Sequence, residues 1–431
     1  MEALHPITGW PAIIAMILKT LAIFSVFMLT VAYATLAERR VAGWIQDRRG
    51  PNRVGPFGLL QPIADGVKNF LKEETLPANA AKFYFILGPI LATAPALVTF
   101  AVIPVASPLP TPWGVVDMMV ADVPIGILYV LAIASLGVYG LVLGGWASNN
   151  KYAFLGGLRA SAQMVSYEVA LGLSVVAVMM LAGNVTLTQI VWQQQQLHLP
   201  FALPLSLAFI FFVTSAFAES NRLPFDMPEA ESELVVGYHT EYSAMKFSMF
   251  MIAEFGHMVT ASALMATLFL GGWDIPFTSA DNAFWYQGQL ISGFAGDGSV
   301  ILAHPTWWLT LLTFGVFAVK TLFFLLVYIW VRWTLPRFRY DQVMALGWKV
   351  MLPTALAYLM IMAGSILVLD ELGVPYGFGY GLALTGVSLI CTLAFVFWID
   401  RGRTIAGAGA LPGQRHEVKS VSRPAPAPAA D

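Results

Sequence analysis

Cysteine is nearly absent: Cys391 is the single thiol in 431 residues. That excludes a disulfide framework and any four-cysteine zinc or iron–sulfur site built by this chain alone. Charge is scarce as well. Asp, Glu, Lys and Arg make up 11% of the sequence and apolar residues 58%, against roughly 25% and 45–50% in soluble globular proteins. With a mean hydropathy of +0.71, the chain is neither a set of soluble domains nor a disordered polymer. What remains is an all-α polytopic membrane protein, and at ~20 residues per span the length suits about nine transmembrane helices.

Apolar stretches of membrane length fall at 12–37, 83–105, 123–146, 161–183, 201–218, 244–270, 307–331, 350–369 and 379–399. The first lacks a basic region before it and is too long for a signal-peptide core, so it reads as a retained span. Positive charge is missing from one set of connections: residues 1–11, 106–122, 184–200, 271–306 and 370–378 hold no Lys or Arg. Nearly all 23 lie in the other set, 38–82, 147–160, 219–243, 332–349 and 400–431. The positive-inside rule then puts the N-terminus outside and the C-terminus in the cytoplasm, and an odd span count agrees, because it places the ends on opposite sides. No internal repeat is visible. The membrane domain is expected over 1–403 and a low-complexity, disordered cytoplasmic tail over 404–431. Of the outer connections only 271–306 is long enough to be ordered.

The first cytoplasmic loop carries the run Glu38-Arg-Arg-Val-Ala-Gly-Trp-Ile-Gln-Asp-Arg-Arg-Gly-Pro-Asn-Arg-Val-Gly-Pro56. The Gly50-Pro51 and Gly55-Pro56 pairs specify a fixed, non-helical path. Beyond them Leu60, Ile63, Ala64, Val67, Phe70 and Leu71 recur at helical spacing, opposite Gln61, Asp65, Lys68 and Lys72. That pattern predicts an amphipathic helix lying in the membrane interface. Arg39, Arg40, Arg48, Arg49 and Arg53 serve the positive-inside rule or a docking role equally well. A phosphate loop is excluded, since no Gly-Lys-Ser/Thr follows. Walker, nucleophile-elbow and haem-attachment sequences are absent too.

The third cytoplasmic connection is acidic: Glu219, Asp226, Glu229, Glu231, Glu233 and Glu241, opposed locally by Arg222 and Lys246. Such a cluster is either solvated or a set of proton-exchanging groups whose mutual repulsion raises their pKa values. The interleaved Leu223, Pro224, Phe225, Met227, Pro228 and Leu234 favour packing over exposure. Inside the spans stand Glu168, Glu254, Lys19 and Lys320. Each costs about 2.5–3.5 kcal/mol to insert at mid-membrane, so each is a functional candidate, with a structural ion pair or snorkelling as the alternative. Glu254-Phe-Gly-His257 has the Glu-x-x-His spacing of di-iron bundles, but those need two copies and more acids. Gly377-Phe-Gly-Tyr-Gly381 opens an apolar span and follows no strand, which excludes dinucleotide binding. No metal site is expected.

Four motifs, taken in order, carry a specific resemblance: Glu38 through Lys72, Ser161-Ala-Gln-Met-Val-Ser-Tyr-Glu168, Phe217-Ala-Glu-Ser-Asn-Arg-Leu-Pro-Phe-Asp226 through Leu234, and Leu335-Pro-Arg-Phe-Arg-Tyr-Asp-Gln342 with Trp348-Lys349. The chain resembles, over roughly residues 12–399, the H subunits of the bacterial NADH:quinone oxidoreductases, respiratory complex I. The family often has Tyr where Phe255 stands, and the outer loop 281–300 and the tail look like additions. The resemblance implies a multi-pass subunit of a bacterial inner membrane, at the junction with a peripheral arm whose other subunits hold FMN and iron–sulfur clusters and oxidise NADH. Quinone is the implied substrate, and other complex I subunits and lipid, not nucleic acid, the implied partners. Glu38, Arg39, Arg40, Arg48, Arg49, Arg53, Phe57, Asp65 and Lys68 would border the quinone chamber or its entrance. Glu168, Glu219, Asp226, Glu229, Glu231, Glu233, Glu241 and Glu254 would begin the proton path.

A homologous component of a membrane-bound hydrogenase or ferredoxin-linked complex shares the span pattern and is the main alternative. The full Arg-Arg-Gly-Pro-Asn-Arg loop favours the quinone enzyme. A free-standing carrier would show spans related by an inverted repeat, and a mere anchor has no need of intramembrane acids.

Overall fold

A computed structural model of the chain describes residues 9–228, 231–275, 283–286, 289–294 and 300–400. The helices are α1 (Trp10–Ile45), α2 (Gln61–Leu71), α3 (Lys82–Val98), α4 (Gly126–Ala147), α5 (Lys151–Ala182), α6 (Leu187–Leu197), α7 (Ser206–Glu219) and α8 (Glu231–Leu234). After them come α9 (Ala244–Phe269), α10 (Trp307–Thr334), α11 (Tyr340–Ala345), α12 (Leu352–Glu371) and α13 (Phe378–Asp400). Among the described residues, eight helical stretches are long and apolar enough to cross a membrane, and α7 is a shorter apolar helix. The molecule is thus the all-α polytopic protein that composition demands.

Helix α1 runs past the expected end of the first span. Nothing between residues 38 and 45 breaks it, and it stops where Asp47 takes a positive φ of 50° ahead of Gly50-Pro51. Glu38, Arg39 and Arg40 therefore stand on α1 and not in a loop. Helix α2 carries Pro62 in its first turn and has no buried residue, with Ile63, Val67, Phe70 and Leu71 all exposed. This unpartnered apolar stripe is the amphipathic element the sequence predicts.

Helix α3 contains Pro89 and Pro95. Proline has no N–H to give to the carbonyl four residues back, so the Phe85 carbonyl is left over; the Tyr242 hydroxyl donates to it at 3.1 Å. The two rings stack at 4.0 Å. Small residues let the next helices close on one another. A Cβ on Gly140 of α4 would lie 2.4 Å from the Ala92 nitrogen, and one on Gly145 2.5 Å from the Ala153 carbonyl.

The connections without Lys or Arg hold more structure than expected. Strands β1 (Ala106–Thr111) and β2 (Gly114–Met118) form an antiparallel hairpin. The Ser107 N–H donates to Thr313 Oγ1 at 3.1 Å, and Thr310 Oγ1 donates to the Pro108 carbonyl at 3.1 Å, seating the hairpin on α10. Strands β3 (Phe284–Tyr286), β4 (Gln289–Phe294) and β5 (Val300–Leu302) make a second small sheet. Helix α9 sits at the centre, packed against α1, α2, α3, α6, α7 and α10. It carries both Glu254 and His257.

Candidate functional site: a buried ion-pair cluster

Helix α7 ends at Glu219, and Asn221 turns the chain with a φ of 52°, a left-handed conformation that Asn tolerates. Gln163 of α5 holds the turn from below, its amide donating to the carbonyls of Ala218 at 2.8 Å and Phe225 at 2.6 Å. This turn delivers Arg222 into the interior, where it is 2% exposed. Its Nη1 lies 2.7 Å from Glu38 Oε2 and its Nε 2.6 Å from Glu254 Oε1. The guanidinium also stacks 4.2 Å above the Phe255 ring. The other oxygen of Glu38 accepts from Arg332 of α10. Among the described residues, two acids and two guanidinium groups thus knit α1, α9, α10 and the turn after α7. Desolvation makes such a group tolerable only when complete, and removal of one partner costs about 3–5 kcal/mol.

Three other acids of the third connection are taken one by one by basic or amide groups from distant segments. Arg337 holds Asp226 at 2.6 Å, Arg159 holds Glu233 at 2.6 Å, and the Asn150 amide donates to Glu241 at 2.7 Å. Burial pushes the Asp226 carboxyl up to about 6, against the pull of Arg337. Lys246, expected to oppose this loop, pairs instead with Glu74 at 2.7 Å. Glu229 lies outside the described residues, as does the side chain of Glu231. Nearby, burial against Tyr238 and Phe247 pushes the His239 imidazole down to about 4. Sequence reasoning missed Arg159, Arg332 and Arg337 as partners. A signal exists for one of them, since the motif Leu335–Gln342 contains Arg337.

Two adjoining cavities of about 30 Å³ each lie beside the cluster. One is lined by Asn221, Tyr238 and Glu254, the other by Thr99, Thr260 and aliphatic side chains, and Glu219, Ser220 and His257 line both. A water needs roughly 10–15 Å³ measured in this way, so each has room for one or two. Glu168 is half-buried on α5, with no ion pair among the described residues.

The basic-loop candidates divide. Glu38 turns inward to Arg222. Arg39 and Lys68 meet Asp65 at 2.7 and 3.7 Å, clipping α2 to α1. Arg40 donates to the Phe57 carbonyl, and the Phe57 ring is 83% exposed beside α2. Arg48, hydrogen-bonded locally to Gln46 at 2.7 Å, faces outward with Arg49 and Arg53. Of the intramembrane lysines, Lys320 donates to the carbonyls of Leu270, Gly272 and Asp274 at 2.7–2.9 Å, which caps the C-terminal end of α9. Lys19 reaches the Asp117 carbonyl at 3.4 Å. No metal-holding group of three or more His, Cys, Asp or Glu occurs among the described residues.

Spanning helices with neutralised acids and guanidinium groups locked between them define a class: a polytopic membrane protein with buried ionisable machinery. Comparison with known proteins narrows it. The family model described as NADH dehydrogenase matches residues 18–363. The H subunit of the NADH-quinone oxidoreductase of Leptospira biflexa is 47% identical over 359 residues, covering 81% of this chain and 94% of that protein. The H subunit of Rhodospirillum rubrum is 46% identical, covering 84% and 97%, and NADH-ubiquinone oxidoreductase chain 1 of Chondrus crispus 45% identical, covering 82% and 98%. The chain belongs to this NADH dehydrogenase family, with the H subunits of the NADH-quinone oxidoreductases. The family match ends within α12, so α13 lies beyond it.

Proposed function

We propose that the chain is the membrane subunit of a proton-pumping NADH:quinone oxidoreductase in a bacterial inner membrane, forming part of the quinone-binding chamber and the start of the proton path. The observation that carries the reading is the buried Glu38–Arg222–Glu254 bridge. Reduction of a quinone to a quinol takes up two electrons and two protons, so charge changes abruptly where the headgroup sits. The electrons come from NADH through FMN and iron–sulfur clusters on partner subunits, and this chain supplies no redox group. Glu38 lies one residue from Arg39, which holds the interfacial helix α2, and α2 with its exposed apolar stripe and Phe57 is suited to border an entrance from lipid. Arg48, Arg49 and Arg53 face outward, where peripheral subunits would dock.

Arg222 serves both Glu38 and Glu254. Negative charge arising near Arg39 and Arg332 draws those cations toward it, and Arg222 then compensates Glu38 at the expense of Glu254. A buried carboxylate that loses its cation takes up a proton, and it releases that proton when the cation returns. Glu219, across the neighbouring cavity, is the next acceptor. Asp226 with Arg337 lies at the mouth of the same turn.

The test is to tag the chain, solubilise the membranes gently and assay what co-purifies. A large complex with flavin and iron–sulfur subunits that reduces quinone from NADH is expected. A nickel–iron hydrogenase partner, or a lone chain, overturns the reading and moves the protein to a homologous complex.

A further inference from the structure

We propose that His257 is a proton-relay residue between Glu254 and Glu219, an inference that rests on the proton-pumping reading above. His257 follows Glu254 by three residues on α9 and so shares its helix face. Its imidazole lines both cavities, and Glu219 and Ser220 are the other residues common to the two. The ring packs on α4, its Nε2 lying 3.4 Å from where a Cβ on Gly137 would stand, an ordinary van der Waals separation.

An imidazole is chemically suited to this position. An ionised carboxylate only accepts hydrogen bonds, whereas neutral imidazole presents one donor and one acceptor on opposite sides of the ring. With one or two waters in each cavity, the transfer balances. Glu254 loses a proton through water to the unprotonated ring nitrogen, the other nitrogen releases its own proton through water to Glu219, and the imidazole stays neutral overall. Glu254 ends as the carboxylate paired with Arg222, and Glu219 ends protonated. Exchange of the two ring tautomers resets the relay. Beyond Glu219 the second cavity is apolar apart from the Thr99 and Thr260 hydroxyls, so a proton has no competing carboxylate there.

The test uses the assembled complex in inside-out membrane vesicles, with NADH oxidation and proton uptake measured together and normalised to assembled complex on native gels. His257→Gln keeps size and hydrogen bonding but cannot pass a proton on, and it is expected to slow quinone-linked turnover by about tenfold or more and to raise the solvent deuterium isotope effect. His257→Glu restores a group that binds and releases protons, and it should recover most of the rate. Wild-type turnover and isotope effect in His257→Gln overturn the relay. Equal losses in the Gln and Glu variants of an assembled complex also overturn it, because they mark a packing role. A wild-type complex with no NADH:quinone activity overturns both this inference and the functional reading, a result distinct from either variant outcome.

Discussion

At the residue scale, Arg222 decides how the interior is neutralised. It arrives on a turn whose left-handed Asn221 and supporting Gln163 leave it no route to solvent, and it serves Glu38 and Glu254 at 2.7 and 2.6 Å. Arg222→Ala would remove the paired cation of Glu254 and leave Glu38 its bridge to Arg332. We expect a loss of about 3–5 kcal/mol in stability, read as a lowered thermal midpoint of the detergent-solubilised protein and poor incorporation into membranes. Arg222→Ala with Glu254→Gln should recover part of that loss, since the orphaned charge goes with its partner. A single variant as stable as the wild type would show that the cluster is not held by charge balance. The same residues mark the limit of what the sequence makes legible. Glu254 and Arg222 are recognisable as costly buried charges, but Arg332 meets Glu38 across 294 positions of sequence and Arg337 meets Asp226 across 111. Pairing over such separations is a product of helix packing and leaves no local pattern.

Elements are legible in proportion to how strongly the bilayer dictates them. The long spans follow from hydropathy, because lipid leaves the backbone no partner except itself. The interfacial helix α2 follows from its periodicity. The hairpin β1–β2 and helix α6 do not show in the sequence, since each gains its stability by resting on other elements, the hairpin through Thr310 and Thr313 of α10. The end of α1 is misplaced by hydropathy because polar residues close an apolar window without ending a helix. Contrasting glycines test how tightly the elements depend on close approach. Gly140→Ala sets a Cβ 2.4 Å from the Ala92 backbone nitrogen, so α3 and α4 must separate, and a marked fall in thermal midpoint is expected. Gly66→Ala on α2 meets nothing within 4 Å and should be neutral or stabilising by roughly 0.5–1 kcal/mol, through helix propensity alone. Comparable losses in both variants would mean that the α3–α4 contact is not tight.

For the whole molecule, orientation in the membrane governs the direction of every proposed transfer. Helix α9 is mostly buried while α1 and α13 present mostly exposed apolar faces, so the cluster lies in the middle of a layer whose rim meets lipid or partner subunits. Among the described residues, the Lys and Arg of the connections lie at one end of that layer, the end that carries α2 and the turn holding Asp226. The opposite end carries the hairpin β1–β2 and the sheet β3–β5. If positive charge stays inside, quinone chemistry and the acids face the cytoplasm, and protons leave toward the hairpin side. The single native thiol makes this direct to check. In a Cys391→Ser background, Trp113→Cys places a thiol at the hairpin tip, where the tryptophan is 73% exposed. Lys72→Cys places one just after α2. A membrane-impermeant maleimide applied to spheroplasts should label the Trp113 variant at once and the Lys72 variant only after permeabilisation. The reverse pattern would invert the molecule and, with it, the side from which Glu254 and Glu219 are supplied with protons.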